Sequence, residues 1–477
     1  MSPPPDDRVW TPERRGLAVG LVLTITMLAF EALGVSTAMP IVADDLDGVD
    51  LYGWAFTAAL LGSLVGISLA GARVDRTGPG GPFLAGLALF AIGLVGAGTA
   101  RSMPLLVAAR FVQGLGVGGV PAVVYASIGR AFGERARARM FALLSSAWVV
   151  PGLVGPALSG TIAESVGWRW VFLGVLPFVA VNALLTAPAL LRLGPPPSDP
   201  ARDRRALRAT HRNTVGLALV LAAAAAALVG GLNTATPASL ALSLAGALAA
   251  IVPLRRLLPA GTFRAARGIP AAVATRGLHA AAFFSAQAFV PLALTDLRGQ
   301  SATLAGIVLT GSTVTWTAGA WLQDHRGHVW GRATMVRRGL VLLIFGVAGM
   351  AAVVLPAVPT VVAALVWGVA GLGMGMAYSG LSLLVLAQAK PGQEGTASSA
   401  LQLSEMLSVA VAAGLGGAAV AAADRGGDLR PGIAAAFAIS IVCAASANLA
   451  ARRLPGDSSG GQRSPENESQ RSGSPVS

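Results

Sequence analysis

Charged side chains in this chain are gathered into short clusters, and the stretches between clusters are almost wholly apolar for nineteen residues or more. Crossing ~30 Å of bilayer hydrocarbon takes ~20 apolar residues in a helix rising 1.5 Å per residue. Only 12% of the residues are Asp, Glu, Lys or Arg, against about 25% in an ordinary soluble domain. So few charges cannot cover a water-facing surface. A soluble enzyme, a disordered chain and a secreted disulfide scaffold are thereby excluded. The expectation is an all-α polytopic membrane protein.

Fourteen apolar runs are long enough to span, near 16–40, 52–72, 82–100, 104–129, 140–163, 169–191, 214–233, 238–256, 270–295, 302–322, 337–355, 359–388, 399–422 and 433–451. The seventh and eighth are the least featured, being rich in Ala and Leu. With residues 1–15 inside, 29 of the 35 basic residues fall on inner segments and five on outer loops (Arg101, Arg169, Arg298, Arg425 and Arg430), with Arg110 inside a span. This asymmetry predicts an even number of spans with both termini cytoplasmic. It also explains the net charge of +13 without nucleic acid: the positive charge faces an anionic inner leaflet. The one cysteine, Cys443, allows neither an intramolecular disulfide nor a thiolate metal cluster. The Ser/Gly/Pro-rich tail 452–477 reads as disordered.

Two loops look related. Gly71-Ala-Arg-Val-Asp75-Arg76-Thr-Gly78 closes the second span, and Ala320-Trp-Leu-Gln-Asp324-His325-Arg326-Gly327 closes the tenth. Both give a small residue, an acid, a base and a glycine at nearly the same spacing. The repeat divides the chain into a six-helix bundle at 16–191 and a second at 270–451, arranged as parallel repeats. Cytoplasmic linkers at 192–213 and 257–269 flank two inserted transmembrane helices at 214–256. Such halves enclose a substrate site at their interface in transporters.

Charge inside a span is costly, about 2.5–3.5 kcal/mol on insertion scales, and faces the bundle interior. Three such residues stand out: Glu31, Arg110 and Glu405. Glu31 lies ~22 Å along the first span and Arg110 ~9 Å into the fourth from the opposite face, at comparable depth. A carboxylate and a guanidinium there form either a proton-coupling pair, able to change protonation when separated, or a static packing pair. Glu405 is a second candidate proton or cation site. Arg276 lies near the inner end of its span, where snorkelling explains it, and His279 reads as a packed histidine. Gln113, Gln287 and Gln402, with Trp148, Trp316, Trp367 and Tyr378, fall within spans; they are candidate cavity-lining residues for an aromatic or cationic substrate, or else the glutamines tie helices together and the aromatics pack the bundle. Pro151-Gly152-Leu-Val-Gly155-Pro156-Ala-Leu-Ser-Gly160 predicts a bent fifth helix able to pack closely on a neighbour.

These motifs resemble those of the major facilitator superfamily. GARVDRTG resembles its loop 2–3 motif, Arg110 through Gly119 its span-four motif, Pro151–Gly160 its exporter-associated span-five motif, and Glu31 through Pro40 its span-one motif. Gly167-Trp168-Arg169-Trp170-Val-Phe172 matches its segment before span six. With fourteen spans, the chain is most similar to the drug:proton antiporters of that superfamily. The resemblance implies that Arg110 takes part in proton coupling and that Glu31 is the intramembrane acid, where the family usually has Asp. Asp75 and Arg76 would hold an inner gate, with Gly71, Gly78, Asp324 and Arg326 completing the repeated motif. Gly152, Gly155, Pro156 and Gly160 would shape the antiporter helix. After Gly78 the sequence continues Pro79-Gly80-Gly81, so the basic residues usual there are missing.

The function expected is proton-coupled export, by alternating access across the plasma membrane, of amphipathic drugs or toxic organic compounds, organic cations among them. The alternative is a narrow exporter of an endogenous metabolite or lipid, or less readily a proton symporter. Neither cofactor nor metal is implied; the proton gradient is the driving force, and the transporter is expected to act as a monomer. No long loop carries an enzyme's constellation of His, Asp or Glu, and no GxxxxGK[ST] loop is present.

Overall fold

The computed structural model describes residues 9–11, 14–133, 136, 139–140, 143–144, 146–194, 204–234, 236–388 and 394–454. Every expected span is met by helix among them. The helices are α1 (Arg15–Asp45), α2 (Tyr52–Thr77), α3 (Gly80–Gly98), α4 (Met103–Ala131), α5 (Val149–Ile162), α6 (Leu176–Arg192, led in by a short helix at Arg169–Leu173), α7 (Arg204–Thr234) and α8 (Pro237–Leu257). They continue with α9 (Ile269–Thr295), α10 (Ala302–Trp330), α11 (Arg332–Val353), α12 (Val361–Gln388), α13 (Glu394–Asp424) and α14 (Arg430–Ala451). Thirteen helical stretches are long and apolar enough to cross a membrane. The helix not counted, α10, carries Asp324, His325, Arg326 and His328 in its last turns.

The first bundle is held by glycine. A Cβ on Gly62 would lie 2.2 Å from the Phe111 carbonyl, and one on Gly114 2.0 Å from the Ala59 carbonyl, so α2 and α4 touch backbone to backbone. Gly339 and Gly373 likewise bring α11 and α12 backbone to backbone in the second bundle, at 2.6 and 2.4 Å by the same measure. Tight approach of this kind supplies the dispersion contact that membrane helices need where lipid is as apolar as their own side chains. The inserted pair α7–α8 does not form a third unit. Helix α7 packs on both α2 and α13, one from each half, while α8 packs on α7 and remains largely exposed.

The repeat is real but its register shifts. Gly78 ends α2 at φ +84°, a conformation that favours glycine. The sequence pairs it with Gly327, yet Gly327 lies inside α10; the residue that ends α10 at φ +84° is Gly331. The second helix therefore runs one turn beyond the motif match, to the glycine that takes the positive φ.

Basic residues gather at the end of the bundle that carries the termini: Arg14 stacks on Phe132, and Arg453 donates to the Arg264 carbonyl. The opposite end carries Asp44, Asp45, Asp47, Asp50 and Asp296.

Candidate transport site

Among the described residues, the backbone-close contacts between halves run along two seams. Helix α2 meets α13, where a Cβ on Gly53 would lie 2.4 Å from the Gly417 Cα, and Thr57 donates to the Ala410 carbonyl at 3.1 Å. Helix α5 meets α10: Gly160 faces the Ala302 carbonyl, Gly306 faces the Pro156 carbonyl, and Gly152 faces Thr313. Gly155 instead faces Phe30 of α1. Pro156 sits inside α5, at the seam. At the acidic end, Glu164 accepts from both the Thr303 N–H (3.1 Å) and its hydroxyl (2.5 Å) in the first turn of α10. A carboxylate there satisfies free amides and complements the helix dipole. Tyr52 donates across the halves to the Ala288 carbonyl at 2.7 Å.

Among the described residues, two buried ion pairs lie within the spans. In the first half, Arg110 on α4 donates through Nη1 to Glu31 Oε1 on α1 and to Gln113 Oε1 (2.7 Å), and through Nε to the Ala55 carbonyl on α2 (3.2 Å). Glu31 and Arg110 are 5% and 6% exposed. Gln113 lies one turn along α4 from Arg110, and its Nε2 is buried without a partner. The α2–α4 glycines make this geometry by letting Arg110 reach the α2 backbone.

In the second half, Arg276 on α9 donates through Nε to Glu405 Oε2 on α13 at 2.8 Å, and through Nη1 to the Tyr378 carbonyl (2.9 Å) and Ser382 Oγ (3.3 Å). The Tyr378 hydroxyl donates to Glu405 at 3.3 Å, and its ring lies 3.1 Å from the guanidinium carbon. Arg276 is 5% exposed. Snorkelling is thus replaced by a buried pair: seven residues into α9, the guanidinium turns inward because a carboxylate and a carbonyl await it there. The signal available in the sequence was Glu405 itself, an intramembrane acid lacking a base.

Three of the expected lining aromatics come together beside this second pair. Trp316 lies 5.4 Å from Tyr378 and 5.6 Å from Phe283, which stacks on Trp367 at 5.1 Å. His279 sits 6.4 Å from Tyr378, fully buried, with both ring nitrogens unpartnered. Gln287 is buried on α9, and Gln402 is half-buried on α13. Trp148 is 48% exposed before α5 and joins none of these groups. Asp324 and Arg326 are exposed, the latter over Trp330. Gly71, Asp75 and Arg76 lie on α2; the surroundings of Gly71 and the side chains of Asp75 and Arg76 fall outside the described residues.

A further polar cluster went unread in the sequence. Asn182 on α6 donates to Thr24 on α1 at 2.8 Å and accepts from Thr186 at 2.7 Å, all fully buried. It ties α6 to α1, the helix that carries Glu31.

Residues 19–413 match the profile of the Major Facilitator Superfamily. The chain belongs to this superfamily. It is 28% identical over 470 residues to a probable multidrug-efflux transporter of Mycobacterium tuberculosis, covering 92% of this chain and 96% of that protein. A multidrug transporter of Bacillus subtilis is 30% identical over 178 residues, 37% of this chain and 33% of its own length. Among solved structures, a bacterial homologue of the lysosomal transporter Spinster, inward-facing and unoccupied, superimposes with a TM-score of 0.59 at 15% identity, covering 93% of this chain and 98% of that one. A peptide transporter in complex with sulfate gives 0.62 at 18% identity, with 92% and 95% coverage. This facilitator is accordingly a multi-pass secondary active transporter of small molecules, with the fold and relatives of transport proteins rather than enzymes.

Proposed function

We propose that this facilitator is a proton-coupled exporter of amphipathic organic compounds, organic cations among them, in the plasma membrane with both termini cytoplasmic. The observation that carries the reading is the Glu31–Arg110–Gln113 network, an ion pair buried between α1 and α4 of the first half. Separating such a pair in a low-dielectric interior favours neutralisation of its carboxylate by a proton. Protonation of Glu31 from outside would release Arg110 and favour closure of the outer seams; proton loss to the inside would restore the pair as cargo is captured. With the acidic end outside, both seams join the halves toward the outer face of the molecule. Arg276–Glu405 is then a second protonatable pair, and the cluster of Trp316, Tyr378 and Phe283 beside it suits a flat or cationic cargo. The near full-length similarity to a probable multidrug-efflux transporter supports the direction of transport.

The test is cargo movement in proteoliposomes under an imposed pH gradient, using a panel of fluorescent lipophilic cations and neutral amphiphiles. The expected result is gradient-dependent movement of several unrelated compounds opposite to the proton flow. Movement with the proton flow, or movement indifferent to the gradient, would overturn the reading.

A further inference from the structure

A groove of about 660 Å³ opens at the basic end of the second bundle, between α11 and α14, with α10 and α12 behind them. Its mouth carries three arginines, Arg337 and Arg338 on α11 and Arg452 just after α14, all exposed. Its depth is apolar, walled by Leu342, Leu372 and Met376. Among the described residues, no carboxylate lines it. The close approach of α11 and α12 at Gly339 and Gly373 fixes the floor. Leu342 lies ~8 Å along α11 from Arg337, at 1.5 Å per residue, so the groove passes from interfacial charge to hydrocarbon over a turn and a half.

Cargo is not the natural occupant. Helices α11 and α14 pack within the second half, on α9, α10, α12 and α13, while the seams with the first half are made by α10 and α13. The wall residue Val341 is 39% exposed and Phe345, one turn further along α11, is 67% exposed; such side chains on a bilayer-spanning helix face lipid. Three cations with no acid among them form a field that an ordinary apolar groove would not carry. Guanidinium groups bind phosphate oxygens through paired N–H donors. Basic recesses between transmembrane helices at the interface are sites where phosphate headgroups settle. Neighbouring contacts leave the donors available: Arg337 donates to Thr334 at 3.3 Å, and Arg338 lies 5.3 Å over Trp330 through its cationic face.

We propose that this groove is a binding site for a membrane phospholipid with an anionic headgroup, its phosphate held by Arg337, Arg338 and Arg452 and one acyl chain laid against Leu342, Leu372 and Met376. The site is separate from the transport pathway and stands whether or not cargo export is coupled to protons. Charge at the mouth selects the headgroup, while the apolar depth selects a lipid over free phosphate.

The experiment is a thermal melt of the detergent-purified full chain with added phosphatidylglycerol, phosphatidylcholine or inorganic phosphate, paired with native mass spectrometry to count retained lipid. The groove variant is Arg337→Gln/Arg338→Gln/Arg452→Gln. The charge-matched control is Arg192→Gln/Arg255→Gln/Arg256→Gln, exposed arginines at the same end but outside the groove. The wild type and the control should be stabilised by phosphatidylglycerol alone and retain one lipid. The groove variant should bind it on the order of 100-fold more weakly, from ~1 kcal/mol per interfacial arginine and tenfold per 1.4 kcal/mol. Equal response to phosphatidylcholine, or to phosphate without a lipid tail, would overturn the proposal. So would loss in the control as in the groove variant, which would assign the effect to diffuse surface charge. If the triple variant does not fold, Arg338→Gln alone should show a partial loss, and no loss there would count against the site.

Discussion

The two buried ion pairs use the same chemistry on different helices of the two halves. In the first half the acid, Glu31, stands on the opening helix and the base, Arg110, on the fourth; in the second half the base, Arg276, stands on the opening helix and the acid, Glu405, on the fifth. The first pair is sealed, both side chains almost unexposed, with a backbone carbonyl and an amide completing the arginine's partners. The second is looser: the Glu405 side chain is 17% exposed and shares its arginine with the Tyr378 ring. Parallel repeats therefore preserve the helices while the polar residues diverge. A sealed pair holds its charge state until helices separate; an open pair exchanges with water more readily. On the proposed function, coupling would fall to the first half, while the second pair lies nearer the aromatic cluster.

The comparison can be broken at several points. The largest effect belongs to Arg110→Leu, which leaves Glu31 buried without its guanidinium. A loss of about 3–5 kcal/mol is expected, seen as a lower melting temperature in detergent. The double variant Glu31→Gln/Arg110→Gln should recover much of that loss while transport stays absent. Arg276→Leu should cost less, about 1–3 kcal/mol, because the Glu405 that remains reaches water and keeps the tyrosine hydroxyl. If the two single variants lose equal stability, the contrast between sealed and open pairs fails.

Next in size is the α2–α13 seam. Gly53→Val sets side-chain carbon against the Gly417 backbone, an overpacking worth about 1–3 kcal/mol. It should shift the population away from closure at the acidic end, measured as a longer spin-label distance between α2 and α13. An unchanged distance would mean that the seam does not set the conformation.

The smallest effect is a pH dependence at the same end. Burial pushes the Asp296 carboxyl above its ordinary value of 3.8, ionised Asp44 adds to this, and the Thr295 hydroxyl opposes it. The folded state thus holds a proton there more tightly than the unfolded chain does. Stability from this group is full below the ordinary carboxylate value and is lost as pH rises through the raised one. Melting temperature should fall over that interval in the wild type relative to Asp296→Asn, and parallel curves would remove the effect.

The architecture was legible because a lipid solvent leaves so few choices. Apolar length gave each helix, and arginine asymmetry pointed to an even number of spans. Even the Ala-rich runs at 214–233 and 238–256 form helices, α7 and α8. Glu31 with Arg110 was legible because both are charges deep in spans at matching depth. Arg276 was not, since a long cation near a span end reads equally as snorkelling and as a partner; only the approach of α13 decides. The gathering of Trp316, Tyr378, Phe283 and Trp367 depends on contacts among three helices, which no spacing within one helix encodes. The shift from Gly327 to Gly331 shows a motif matching by residue type while the positive φ falls one turn later.

The central claim is that Glu31 couples cargo to protons through Arg110. The most direct measurement compares two transport modes of Glu31→Gln in proteoliposomes: exchange of labelled for unlabelled cargo with no gradient, and uphill movement driven by a pH gradient. The account predicts that exchange persists while uphill movement disappears, since the halves still alternate but no proton is carried. Uphill movement equal to that of the wild type would contradict it.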